Sequence, residues 1–370
     1  MIRIDEIYNH TFWPYLTDCV PDTRLFFCDP PGTSAPESLC NFGSNATDHS
    51  YLYCHDQEPL YLDIHAPLFS SVSKRNTNLN SGTGPVNSGI IVSELDSDSV
   101  DAVCEQYNWT PYYYFFHGWA SLDWYRGYNR TFMMPDPHSR SISKSFVSPN
   151  RIIGGRRDHR VLLMYHLLNQ QVSNALISFP LTCPQENSTV FDIADKHKTV
   201  YPNIVSTLES ANFPWNMPNE SGHPMHSCWL SLFEENAQSL IHVVTETSYF
   251  GRKWHLTEKT FKPICLQMPF VLVSNAGSLK YLRSYGFKTF DSIWDESYDD
   301  ETNDLVRLEK IAVLLKQFDN MSATELQQMH VLCSHIVKHN YEHFYNGNFE
   351  KLLWKEFSTM LTNITRDFSA

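Results

Sequence analysis

Three groups of residues in this chain have the types and spacing to act on a phosphorylated, hydroxyl-bearing ligand. The first is Glu246, followed by Arg252 and the run Thr257-Glu258-Lys259. Threonine is a helix N-cap type, and a capped helix still leaves first-turn N–H groups pointing outward. A helix opening at Glu258, beside Lys259 and Arg252, therefore suits a diphosphate. Glu246 and Glu258 are carboxylates that can accept from ribose hydroxyls. The second group is Arg156, Arg157 and Arg160, at the start of a helical pattern. Charge on a diphosphate leaving group grows as its bond breaks, and fixed guanidiniums aimed at it lower the barrier. Basic residues at a helix start oppose the helix dipole, so a nearby anion is the simpler account of them. The third group is His55-Asp56-Gln57-Glu58-Pro59, together with His117, each expected to follow a strand. Transfer to a hydroxyl needs one carboxylate or imidazole to take the proton. Glu58 ranks first for that role, ahead of Asp56 and His117.

The elements that must position these groups alternate. IHVV (241–244) is a β-branched, buried-strand run, and Thr257 caps a helix. MPFVLVS (268–274) is a second buried strand, and a further helix opens at Ser278 and stops at Gly286, a natural C′ glycine. Such a βαβα unit binds ligands at the carboxyl ends of its strands. Upstream, 145–148 reads as a strand, 154–157 as a turn and 158–171 as a helix with apolar Val161, Leu162, Tyr165 and Leu168. In the N-terminal part, strands are expected at 23–29, 51–54, 88–94 and 112–116, with a helix over 98–107. Ser322-Ala-Thr-Glu325 is a capping box before a long helix, and 349–361 is apolar on one face. The span 183–227 is loop-rich and yields no elements.

Glu246, Thr257-Glu258-Lys259 and a strand after Pro269 together resemble the donor-binding motif of the α-1,3-fucosyltransferases. That family shows a Glu-Asn pair, a Tyr-Val-Thr-Glu-Lys run and a Pro-Val-Val strand. Here Thr247 stands where the family has Asn, and His255-Leu256 replaces Tyr-Val. The resemblance thus supports a nucleotide-sugar transferase better than it supports fucose as the sugar. The strand ending in Ser148, then Asn150 and the arginines opening a helix, is similar to the family's C-terminal domain start, where an arginine contacts the diphosphate. The resemblance covers roughly 144–290 and implies an α/β fold of GT-B type: two Rossmann-like domains facing a central cleft. Residues 1–143 would form the acceptor-side domain, 144–345 the nucleotide-sugar domain, and 346–370 a C-terminal helix packing back on the first. The implied reaction moves a sugar from a GDP- or UDP-linked donor to an acceptor hydroxyl, inverting and without a metal or other cofactor. The acceptor is a glycan or, alternatively, a hydroxymethylated base in DNA. A non-catalytic nucleotide- or glycan-binding module is the reading from a different class.

At 370 residues the chain is long enough for two domains, and 42% hydrophobic with 19% charged residues is a globular composition. A net charge of −13 argues against a dedicated nucleic-acid binder. The first residues, MIRIDEIYNHTFW, do not read as a signal peptide, and no apolar run is long enough to span a membrane. Nine cysteines without CxxC pairs suit reduced thiols, which together point to a cytoplasmic protein of a microbe or an infected cell. Several Asn-x-Ser/Thr triplets, Asn45 and Asn187 among them, read as coincidence in that setting. Three weaker features are set aside. Asp96-Ser97-Asp98 has the form of a metal-binding triplet, but Asp98 reads as a helix N-cap. His223, His226 and Cys228 lack a second ligand pair for zinc, and the aromatic cluster Trp119, Trp124, Tyr125 reads as core more readily than as a platform. Residues 70–89, rich in Ser, Asn and Gly, are expected to be a loop or lid.

Overall fold

The computed structural model describes residues 3–21, 23–27, 50–63, 87–129, 139–183, 187–220 and 229–369. His223, His226, Cys228, Asn45 and most of the expected loop at 70–89 lie outside the described residues. The chain is α/β, and its described residues form two four-stranded sheets whose strands are all parallel. It divides into two compact units, residues 1–123 with 350–370, and residues 124–349. The boundary expected from the sequence, after 143, falls inside the second of these units.

In the first unit the sheet order is β1 (Thr23–Phe27), β2 (Ser50–His55), β3 (Ser88–Val92), β4 (Thr110–Tyr113). Tyr51, Tyr53, Ile90 and Val92 from the two middle strands pack with Val100 and Val103 of α1 (Asp98–Tyr107) and with Trp109 just after it. The cap of α1 is Ser97, whose Oγ accepts from Val100 N–H, so Asp98 is the first helical residue and not the cap. The strand expected over 112–116 ends at Tyr113. The N–H of Phe116 donates instead to Ser93 Oγ (3.0 Å) and α2 (Phe116–Tyr125) begins there, so His117 sits in a helical first turn and not at a strand end. Aromatic side chains gave this run its strand-like composition, but Tyr114 and Phe115 are buried at the bend that turns the chain into the helix. Trp119 is fully buried against Trp354 and Phe357 of the last helix, and Tyr125 is fully buried as well, so both are core.

In the second unit the order is β6 (Leu176–Ser178), β5 (Lys144–Pro149), β7 (Ser239–Thr245), β8 (Phe270–Val273). The chain leaves β5, passes through α3 (Asp158–Asn169) to β6 on one side, then returns to build β7 and β8 on the other. Strand order therefore reverses between β5 and β7, which run parallel in a register that pairs Phe146 with Ile241 and Val147 with His242. All seven residues of β7 and all four of β8 are buried, as expected for parallel strands covered on both faces. Helix α4 (Glu258–Cys265) follows β7, and α5 (Ser278–Ser284) follows β8, with Gly286 at φ +87 just beyond it. The span that yielded no elements holds two short helices, Val190–Asp195 and Ile204–Glu209, the first opened by a Thr189/Asp192 capping box.

Two long helices, α6 (Asp304–Asp319) and α7 (Ala323–Tyr345), complete this unit, and α7 opens with the Ser322/Glu325 capping box. The last helix, α8 (Asn348–Phe368), buries Leu353, Phe357, Met360, Leu361 and Ile364, and its residues from 350 onward belong to the first unit. Among the described residues no helix is long and apolar enough to cross a membrane.

Candidate functional site

In an open parallel sheet the crevice lies outside the carboxyl ends of the strands, where strand order reverses. Only the second sheet has such a point among the described strands, between β5 and β7. Beyond β5 comes Asn150, and Thr245, the last residue of β7, donates its hydroxyl to Asn150 Oδ1 (3.0 Å). The two strand ends are thus tied by side chains immediately below the crevice.

Glu246 is the next residue after β7, and it is completely enclosed. Oε1 accepts from Thr257 N–H (3.0 Å) and Thr260 Oγ1–H (2.6 Å). Oε2 accepts from Thr257 Oγ1–H (2.6 Å) and Thr247 N–H (3.2 Å). A carboxylate with four internal donors and no exposed surface has no face left for ribose hydroxyls, which corrects the role expected of Glu246. It pins the first turn of α4 to the end of β7 instead.

Arg160 is corrected in the same way. Its guanidinium is buried and donates to the carbonyls of Ile152 (2.6 Å), Thr245 (2.7 Å) and Glu246 (3.2 Å), joining the segment after β5 to the segment after β7. Burial first, and then the Arg157 charge, push its guanidinium down to about 9, against the pull of Glu246 and Glu258, so it stays charged at neutral pH. His159 is fully buried and stacks on Tyr249 (4.8 Å between centroids). Burial, with the Arg160 and Arg157 charges, holds its imidazole well below the usual range and therefore neutral. On Tyr249 also rests the Arg307 guanidinium (4.5 Å), which donates to the carbonyls of Tyr249, Ser274 and Glu301 and so fixes the segments after β7 and β8 together.

The cations Lys259, Arg156, Arg157 and Arg252 remain accessible around this edge. Lys259 keeps 28% of its side chain exposed, and its Nζ donates to Glu258 Oε1 (3.0 Å), Thr247 Oγ1 (3.2 Å) and Thr257 Oγ1 (3.2 Å). Glu258 itself is buried. Arg156 is exposed at a left-handed φ of +68, and half-buried Arg157 donates to the carbonyls of Gly154 and Gly155 (3.3 Å each). Arg252 is exposed on the loop between β7 and α4. Thr257 is the N-cap of α4, as its type implied, accepting from Lys259 N–H. The structure therefore brings Arg160, Glu246, Thr257, Glu258 and Lys259 into one hydrogen-bonded set. Thr247, Thr260 and Asn150 belong to it too, and of these Thr260 was not singled out from the sequence; His159 packs beside the set against Tyr249. Thr260, three residues after Thr257 and thus on the same side of a first helical turn, was the legible signal.

The three proton acceptors expected from the first unit separate. Asp56 is buried and accepts from the phenols of Tyr8 and Tyr114 and from Cys54 Sγ (3.3 Å), so no substrate hydroxyl can reach it as placed. Burial raises its carboxyl above the ordinary value against the pull of these donors. His117 is buried, with Nε2 on the Gln57 carbonyl (2.7 Å). Glu58 is exposed.

Searches against protein-family models, curated proteins and solved structures return no match for this chain.

Two outcomes follow from this geometry. Replacing Glu246 with alanine strands buried donors on Thr257 and Thr260 and should cost about 3–5 kcal/mol of stability in urea unfolding. A cost under about 1 kcal/mol would contradict the pinning role. For Asp56, a folded pKa raised above the unfolded value of about 4 means its stability contribution is complete at low pH and falls as pH rises through the folded value. The melting temperature of Asp56→Asn relative to the parent should therefore climb between pH 4 and pH 7. A difference that stays flat or shrinks would show that the carboxyl is not raised.

Proposed function

We propose that this chain is a glycosyltransferase of GT-B type that moves a sugar from a nucleotide-diphosphate donor to an acceptor hydroxyl. The observation that carries the reading is Lys259, a partly exposed cation at the N-terminus of α4, beside the crevice between β5 and β7. Its ammonium is held by Glu258 and two threonines, so it is oriented before any ligand arrives. An oriented cation costs no reorganisation when charge develops on the leaving diphosphate. Arg156 and Arg157, at the start of α3, add positive charge at the same strand ends. In the reaction, the bond from the sugar's anomeric carbon to the phosphate oxygen breaks, and a bond to the acceptor oxygen forms. The electron pair stays on the diphosphate, where the cations stabilise it, and the acceptor's proton passes to a carboxylate or imidazole. The resemblance of Thr257-Glu258-Lys259 to a donor-binding run points the same way.

A thermal-shift panel of GDP- and UDP-linked sugars tests this. One nucleotide class should stabilise the protein, by about 2.7 kcal/mol at a hundred times its dissociation constant. Lys259→Ala should bind that donor about ten- to a hundred-fold more weakly, measured at a temperature where the unliganded variant is still folded, since Glu258 loses its ion-pair partner. No shift with any donor, or an unchanged affinity in Lys259→Ala, would overturn the reading.

A further inference from the structure

With Glu246 sealed inside the fold, a different carboxylate must meet the hydroxyls of a bound nucleoside, if the donor reading is right. Nucleotide-binding sheets of this order place such a group at the carboxyl end of the second strand of the unit, beside the first. That strand is β6, which follows β5 through α3 and pairs with it on the side away from β7. No acidic residue follows β6 directly in sequence; the structure brings one from elsewhere.

Ser178, the last residue of β6, is buried and donates its hydroxyl to Glu220 Oε1 (2.7 Å). The N–H of Asn150 donates to the carbonyl and the hydroxyl oxygen of Ser178 (3.2 Å each). The hydroxyl of Thr245 donates in turn to Asn150 Oδ1 (3.0 Å). A ladder of hydrogen bonds therefore crosses the carboxyl ends of three strands, from Thr245 at β7 to Glu220 at β6. Glu220 is half-buried, and among the described residues its Oε2 has only a long contact with Met217 N–H (3.5 Å). One oxygen orients the carboxylate against the sheet, and the other is left with acceptor capacity at the crevice edge.

We infer that Glu220 binds the vicinal diol of the donor's ribose, an assignment that rests on the nucleotide-donor reading above. Both hydroxyls of a ribose can donate to one carboxylate, so the interaction selects ribonucleotides over 2′-deoxyribonucleotides. Asn150 and Ser178 act as positioning residues, because they hold the carboxylate without reaching the ligand.

The test compares GDP and UDP with their 2′-deoxy counterparts, and with inorganic pyrophosphate, by titration calorimetry on the full chain. The parent should prefer the ribonucleotide, and Glu220→Gln should bind it about ten-fold or more weakly with the preference for ribose abolished. Pyrophosphate affinity should be unchanged in that variant. Ser178→Ala leaves the carboxylate in place but unanchored and should weaken the preference only partly, which a general folding defect would not do. If the parent binds nucleotide and Glu220→Gln keeps the full ribose preference, the assignment is wrong while the donor reading stands. An effect of Glu220→Gln seen only with sugar-linked nucleotides would move the carboxylate to the transferred sugar and overturn the ribose assignment. If the parent binds neither nucleotide nor pyrophosphate, the donor reading and this assignment fall together.

Discussion

The Glu246 carboxylate is the point on which the second unit's ligand edge depends. A buried carboxylate is expensive unless its lone pairs are filled, and here two threonine hydroxyls and two backbone N–H groups fill them. The consequence is geometric. Thr257 and Thr260 are on α4, and Glu246 closes β7, so satisfying one charge fixes where α4 starts and which way its first turn faces. Lys259 is carried by that turn, and its three acceptors include Thr247 and Thr257 from the same set. Arg160 places a positive charge behind the arrangement and binds the carbonyls on either side of the point where strand order reverses. The residues that were expected to touch a ligand thus divide into those that build the edge and those that face out from it.

The two sheets use their carboxyl ends differently. In the first, strand order follows sequence, no reversal opens a crevice among the described strands, and the acid at the end of β2 is consumed by two tyrosines and a cysteine. Its polar groups there are largely structural: Glu94 accepts from Leu60 N–H (2.9 Å) and from Ser97 Oγ–H (2.6 Å), bracing the segment after β2 against the start of α1. In the second sheet, the reversal separates β6 from β7 and leaves polar side chains from three strand ends facing one edge. Binding chemistry belongs with the sheet whose topology makes room for it.

Local signals in the sequence carried the elements well where composition and capping agreed. Thr257 and Ser322 are caps, Gly286 follows α5 in the left-handed region, and the apolar runs around Ile241 and Val271 are buried strands. The run at 112–116 misled because aromatic residues favour strands and also fill cores, and at Tyr114 and Phe115 the second use won. The site was half legible. Residue type identified the charged members, but whether a charge faces inward depends on partners far along the chain. Glu246 and Glu258 have the same chemistry and are close in sequence, yet one is enclosed by four donors and the other pairs with a lysine at the rim. Glu220 was invisible because its partner, Ser178, is 42 residues away.

The central claim is that a nucleotide-diphosphate ligand occupies the edge between β5 and β7. Amide hydrogen exchange on the full chain, with and without a saturating GDP- or UDP-linked sugar, tests it most directly. Slowed exchange should fall on the segments 150–160 and 246–260, which flank the point where strand order reverses and carry the starts of α3 and α4. Protection confined to 55–60 and 93–97, at the carboxyl ends of the first sheet, would contradict the account, as would no protection with any donor.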